Sequence, residues 1–177
     1  PCLPREDFPV MADGDLLIRF GVDAKAFRRL VDKTRFAVST EETRYYLNGI
    51  YLHAAETGGV AMLRAVATDG HRLALVETPL PEGAAAMPGV IVPRKAVVEL
   101  RKLIDDTEGE ITIALSETKI RFEFDDAVLS SKLIDGTFPE YQRVIPEGND
   151  KILEVNSKSF AEAVDRVSTI STEKSRS

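Results

Sequence analysis

The feature that most constrains this chain is a repeat: Val22-Asp-Ala-Lys-Ala-Phe-Arg-Arg-Leu-Val-Asp-Lys33 returns 133 residues later as Val155-Asn-Ser-Lys-Ser-Phe-Ala-Glu-Ala-Val-Asp-Arg166. Five of these twelve positions are identical, and Lys33 to Arg166 keeps its charge. After a one-residue slip, Ser39-Thr40-Glu41 recurs as Ser171-Thr172-Glu173 and Arg44 as Arg176. So long a period does not suit a solenoid and suits whole domains joined in tandem. In a chain of 177 residues the second copy breaks off just after its first helix. The ends, Pro1-Cys2-Leu3-Pro4 and Glu173-Lys174-Ser175-Arg176-Ser177, do not look like natural termini. The expectation is therefore a longer parent, in which residues 1–17 carry the last strand of one domain, 18–150 form a complete domain and 151–177 open a third.

Hydrophobic residues make up 44% and charged residues 29%, the balance of a globular protein with a real core. No apolar run reaches the ~18 to 20 residues that cross a bilayer, and the start lacks the order of a signal peptide. A soluble, cytoplasmic protein is the default. The single cysteine, Cys2, excludes an internal disulfide, and with only His53 and His71 there is no recognisable zinc set. Nothing in the sequence asks for a cofactor.

Within 18–150, Asp15 to Gly21 reads as a strand, and Asp23 can cap a helix whose buried face is Phe27, Leu30, Val31, Thr34 and Val38. Strand-like runs follow at Tyr45 to Ala55, Val60 to Thr68, Arg72 to Thr78 and Val90-Ile91-Val92. The hairpin dipeptides Gly58-Gly59 and Asp69-Gly70 separate the first three. Pro93 suits the first position of a second helix with the stripe Ala96, Val97, Leu100, Leu103 and Ile104. After Gly109 come Ile111 to Leu115, Lys119 to Phe124 and Ala127 to Leu133, and Pro146-Glu-Gly-Asn-Asp150 reads as a linker. The order predicts an α+β fold, two helices packed on mostly antiparallel sheet, in a unit that is itself a doubled half.

The overall charge of −6 hides a segregation. From Asp23 to Phe36 five cations (Lys25, Arg28, Arg29, Lys33 and Arg35) face two carboxylates, giving +3. From Pro93 to Ile104 four cations (Arg94, Lys95, Arg101 and Lys102) face one, again +3, and the remainder carries −12. At ~100° per residue Lys25, Arg28 and Arg29 lie opposite Phe27, Leu30 and Val31, and Arg94, Lys95, Arg101 and Lys102 lie opposite the second apolar stripe. For one helix this is the pattern of a solvated face; two basic helices in an acidic remainder point to a polyanion. No motif here reads base edges, so the charges support contact with phosphates independent of sequence.

Arg44-Tyr-Tyr-Leu-Asn-Gly49 and Ala67-Thr-Asp-Gly-His-Arg-Leu-Ala74 resemble the middle domain of the bacterial sliding clamp, the β subunit of the replicative DNA polymerase. So do Val90-Ile-Val-Pro-Arg-Lys95 and Ser131-Lys-Leu-Ile-Asp-Gly-Thr-Phe-Pro-Glu-Tyr141, and the blocks fall in family order. The resemblance implies the DNA-clamp fold, three similar domains per chain and a head-to-tail homodimeric ring that encloses duplex DNA, with helices lining the hole. Lys25, Arg28, Arg29, Arg94, Lys95 and Arg101 would then face the duplex. Charges acting over a Debye length of ~8 Å favour DNA without fixing a register, as sliding requires. The resemblance also implies a pocket between middle and third domains for peptides of Gln-plus-Leu/Phe type carried by polymerases, the clamp loader and repair proteins. Its wall here would include Arg44, Tyr46, Leu47, Thr68, Gly70, His71, Arg72, Leu73, Pro139, Arg143 and Val144, with Leu47, Leu73, Pro139 and Val144 as an apolar cup.

Two departures stand out. The stretch from Gly49 to Arg64 is a few residues longer than the family pattern, an excess that fits the Gly58-Gly59 turn, and Glu41 lies where the family often has a neutral polar residue near DNA. Taken singly, Asp69-Gly70 is a type I′ turn and His71 a hairpin histidine. Tyr45 and Tyr46 alternate across a strand, and Asp105-Asp106 and Asp125-Asp126 are solvated turn residues. Two rivals remain at this level. A hydrolase using Asp69 and His71 lacks any Gly-x-Ser-x-Gly, phosphate loop or metal pair. A peptide-binding scaffold that never meets nucleic acid would show no difference in retention between closed circular and linear DNA.

Overall fold

The computed structural model describes residues 16–105 and 107–170. The expected last strand of an earlier domain within 1–15, Asp106, and the recurrence at Ser171-Thr172-Glu173 and Arg176 lie outside the described residues. The chain divides into two compact units, the first ending at Pro139 and the second beginning at Glu140.

In the first unit the order is β1 (Ile18–Asp23), α1 (Ala24–Asp32), β2 (Gly49–Thr57), β3 (Val60–Thr68), β4 (Leu73–Pro79), β5 (Val90–Pro93), α2 (Arg94–Asp105), β6 (Glu110–Leu115), β7 (Lys119–Glu123) and β8 (Val128–Lys132). This is β-α-β-β-β written twice. The strands form two four-stranded antiparallel sheets, β1-β6-β7-β8 and β4-β3-β2-β5, so each half lends its first strand to the sheet of the other. Phe20 faces Ile113 across one exchange, and Ile50 faces Val92 across the other. The helix starts follow the same rule. The Ala24 N–H donates to the Gly109 carbonyl at 2.8 Å just before β6, and the Arg94 N–H donates to the Asn48 carbonyl at 2.9 Å just before β2. Two of the orphan donors at helix N-termini are thereby satisfied by the opposite half.

One continuous core lies beneath the helices. Phe27, Leu30 and Val31 of α1 and Val97 and Leu100 of α2 meet over Ile50, Leu52, Ala65, Val92 and Phe122. Phe27 packs tilted on Phe122, with ring centres 5.8 Å apart. Alternation in the strands follows from that placement: in β3, Leu63, Ala65 and Ala67 point inward and are fully buried. Leu103, expected in the α2 stripe, is half-buried at its edge, whereas Ala96, Val97, Leu100 and Ile104 are buried.

Four local readings are corrected. First, α1 stops at Asp32; the buried Thr34 and Val38 continue the apolar pattern through a 3-10 turn at Arg35–Ala37, and the Thr34 hydroxyl donates back to the Leu30 carbonyl at 2.6 Å. Second, Tyr45–Leu47 is a 3-10 turn, closed by the Leu47 N–H on the Arg44 carbonyl at 2.9 Å, and β2 begins only at Gly49. Third, Asp69-Gly70 is not a two-residue type I′ turn: β3 and β4 are joined by residues 69–72, with Gly70 at a positive φ (90°). Fourth, Pro93 ends β5, and the helix starts at Arg94. The Gly58-Gly59 hairpin is as expected, with φ of 58° and 79°.

Among the described residues the second unit holds a 3-10 turn at Tyr141–Val144 and one helix, α3 (Ser157–Ser168). It repeats the start of α1: the Asp23 carboxylate accepts from the Ala26 N–H at 2.8 Å, and the Asn156 side chain accepts from the Ser159 N–H at 3.0 Å, 133 positions later in each case. Among the described residues no helix is long and apolar enough to cross a membrane.

Candidate functional site

The two basic helices lie against each other. Arg28 of α1 pairs with Asp105 of α2 at 2.8 Å, and Arg101 of α2 pairs with Asp32 of α1 at 2.5 Å and with Asp105. A later residue of α1 thus meets an earlier residue of α2, so the helices run antiparallel. Arg28 and Arg35 also approach Asp32, at 3.6 and 3.4 Å. Asp105, expected as a solvated turn residue, is instead a clasp, and the Arg101 guanidinium holds its carboxyl below the usual range. Lys25, Arg28, Arg29, Arg94 and Lys95 are exposed, and Arg29 Nη1 reaches back to the Glu77 carbonyl of β4 at 3.2 Å. Arg101 departs from the outward reading: its side chain is 15% exposed and is drawn between the helices. The helical wheel could not show this, because the carboxylate that turns Arg101 inward belongs to the other helix. α3 does not repeat the cationic face, since Ala161 and Glu162 stand where α1 has Arg28 and Arg29.

A second cluster gathers around the β3–β4 connection. The Asp69 carboxylate accepts from the N–H groups of His71 and Arg72, both at 3.0 Å, and from Arg72 Nε at 3.1 Å. Partial burial works to raise the Asp69 pKa, but these donors prevail and hold it below the usual range. The Thr68 hydroxyl donates to the Arg72 carbonyl at 2.8 Å and accepts from the Gly70 N–H at 3.1 Å, which closes the loop. Arg44 folds over that loop. Its Nε and Nη2 donate to the two carboxylate oxygens of Glu41 at 2.8 and 2.6 Å, while its Nη1 lies where a side chain on Gly70 would stand. Glycine is favoured at 70 by its positive φ, while the tip of the flexible Arg44 side chain could give way to a Cβ there. Arg44 in turn holds the Glu41 carboxyl below its ordinary range.

Tyr46 packs edge-to-face with the exposed Tyr45, centres 5.7 Å apart, and a Cβ on Gly136 would meet its Cβ at 3.1 Å. Leu47 is buried at 3% exposure and Leu73 is half-buried, while His71 and Pro139 are exposed. Arg143 and Val144 belong to the second unit; both are exposed, and Arg143 Nε pairs with Glu140 at 2.5 Å. The structure therefore brings Arg44, Thr68, Gly70, His71 and Arg72 into one cluster. It adds residues that the sequence did not single out. Phe36 is 56% exposed with the Arg72 guanidinium 5.7 Å above its ring, and Glu41, noted only as a departure, grips Arg44. Among the described residues no His/Cys/Asp/Glu group could hold a metal ion.

A doubled β-α-β-β-β unit with exchanged first strands and paired helices on one core is a DNA-clamp domain. The family model described as the DNA polymerase III beta subunit, central domain, matches residues 21–140, and the chain belongs to that family. The beta sliding clamp of Caulobacter vibrioides (strain NA1000 / CB15N) is 59% identical over all 177 residues, which cover 48% of that relative. The crystal structure of the C. crescentus beta sliding clamp superposes with a TM-score of 0.93 at 58% identity, over 97% of this chain and 46% of that one. A sliding clamp from Bartonella birtlesii, bound to griselimycin, gives 0.92 at 57% identity, over 98% and 46%. The chain thus spans about half the length of the relatives it matches.

Proposed function

We propose that this chain serves in a DNA sliding clamp, a non-catalytic processivity factor of the replicative polymerase that encircles duplex DNA and docks short peptides. The carrying observation is the pair of antiparallel basic helices, joined through Asp32 and Asp105, on which Lys25, Arg28, Arg29, Arg94 and Lys95 are each exposed. Cations held loosely by water near phosphates favour the duplex at every register, and the energy changes little as the protein moves along. Arg101 supports that face from between the helices. Retention then rests on closure of a head-to-tail homodimeric ring rather than on tight contacts. In this reading residues 1–17 end a first clamp domain, 18–150 are the middle domain and 151–177 begin a third, in a cytoplasmic protein.

Peptide docking uses Arg44, Tyr46, Leu47, Thr68, Gly70, His71, Arg72, Leu73, Pro139, Arg143 and Val144. The preformed loop at 68–72 with Arg44 folded across it supports the reading, because a docking site whose backbone is already fixed loses less entropy on binding. Partners would be the polymerase, clamp loader subunits and repair proteins that carry such peptides. Double charge reversal, Arg94→Glu with Lys95→Glu, in the full-length protein should weaken DNA association and leave peptide affinity intact. Loss of both together would show that the two surfaces are not separate.

A further inference from the structure

The face of sheet β1-β6-β7-β8 turned away from the core has a charge pattern of its own. Arg19, Ala114, Arg121 and Ser130 lie in register across the four strands, and in the adjoining row Lys119 stands directly opposite Lys132. These rows hold four cations and no carboxylate, in a sequence that carries −12 outside the two basic helices. The row on the other side contains Glu123, and its carboxylate serves both arginines. Arg19 Nη1 and Nη2 donate to it at 3.2 and 2.5 Å, and Arg121 Nη1 lies 4.0 Å away. Glu117 in the β6–β7 turn and Glu110 in the last row bound the patch at its two ends. Like charges directly opposite each other across a strand pair destabilise it, yet the fold keeps Lys119 against Lys132, with Lys132 and Arg19 exposed. An anion laid over these rows turns that repulsion into attraction.

We infer that this face is a docking surface for an acidic polypeptide segment in extended form, separate from the helix face and from the β3–β4 loop. Charge complementarity selects an anion, and the shape of the patch selects polypeptide over nucleic acid. Neither cationic row contains an aromatic residue, so bases find no ring on which to stack. Glu110, Glu117 and Glu123 hem the cations into a patch too short for a run of phosphates. Strands ~4.8 Å apart place the backbones of Arg19 and Arg121, two strands apart, ~10 Å from each other, the span of about three extended residues. A segment crossing the strands therefore meets both arginines with carboxylates about three residues apart. Val128, 62% exposed and opposite Glu123, offers an apolar contact beside them.

The test uses the full-length protein and a short fluorescein-labelled peptide with Asp at every third position and a single Leu. An Asn-for-Asp version and an oligothymidylate of equal charge serve as comparisons, and affinities are read by fluorescence anisotropy at low salt. The acidic peptide should bind about tenfold tighter than the Asn version and lose that advantage in Arg121→Ala with Lys132→Ala. Arg94→Glu with Lys95→Glu should leave its binding unchanged. Glu123→Gln, which releases both arginines, should tighten the acidic peptide about fivefold and leave the Asn version as it was. That gain cannot come from misfolding, so it decides the matter even where the double-alanine variant is unstable. The inference is overturned if the Asp and Asn peptides bind alike, if Glu123→Gln brings no gain, or if charge reversal on α2 abolishes binding that the double-alanine variant keeps. It is also overturned if the oligothymidylate loses as much affinity as the peptide in the double-alanine variant, which would make the face a nucleic-acid surface.

Discussion

Asp32→Asn should move stability and DNA binding in opposite directions. Asp32 accepts from Arg101 Nε at 2.5 Å and lies within 3.6 Å of Arg28 and 3.4 Å of Arg35, so one carboxylate serves three guanidiniums. Its side chain is 29% exposed and that of Arg101 15%, between the surface case, where an ion pair contributes ~0 to 1 kcal/mol, and the buried case, where breaking one costs ~3 to 5. Arg101 keeps Asp105 as a second partner, which places the loss nearer the lower bound, at about 1 to 2 kcal/mol. For a chain of this size that lowers the thermal midpoint by ~2 to 8 °C, measurable by circular dichroism. The same substitution removes a negative charge from the helix face. In the full-length protein, DNA affinity should therefore rise, and the dependence of log affinity on log salt should steepen by up to ~1. An unchanged midpoint would show that the clasp does not hold the helices, and weaker DNA binding would show that the face is not a phosphate surface.

Two further outcomes test the fold around that face. Gly49→Ala should destabilise the chain by ~1 to 3 kcal/mol in urea unfolding, because the new Cβ would overlap the Val92 backbone carbonyl across the β2–β5 pair, which cannot turn aside as a side chain can. Asp105→Asn should lower the thermal midpoint by a constant amount from neutral pH down to about the ordinary aspartate value of 3.8. Because Arg101 depresses the folded-state pKa, the carboxylate's contribution is present above the unfolded value and lost only as the pH falls below it, so the gap to wild type should close there. A gap that already closes between pH 7 and 5 would contradict the clasp.

Much of this architecture was legible from local chemistry. Asp23 caps α1, Gly58-Gly59 turns the β2–β3 hairpin, and the 133-residue repeat reappears as the same capping bond at Asn156. What was not legible came from partners distant in sequence or from competition within turns. Tyr45-Tyr46-Leu47 has strand composition, yet its backbone is held in a 3-10 turn while the adjoining Asn48 carbonyl takes the first N–H of α2. The Asp69-Gly70 dipeptide suggests a two-residue turn, but the Asp69 carboxylate captures the N–H groups of His71 and Arg72 and the loop spans four residues. Arg101 sits outward on a helical wheel, and only the neighbouring Asp32 turns it inward. Arg44, Arg72 and Arg143 were visible as residue types, whereas their ion pairs with Glu41, Asp69 and Glu140 needed coordinates.

The most direct measurement is the lifetime of the full-length protein on nicked circular DNA compared with the same DNA after linearisation, at a salt concentration that suppresses direct phosphate contact. Topological retention predicts long residence on the circle and rapid escape from free ends. Equal lifetimes on both would mean that the protein grips DNA and does not encircle it.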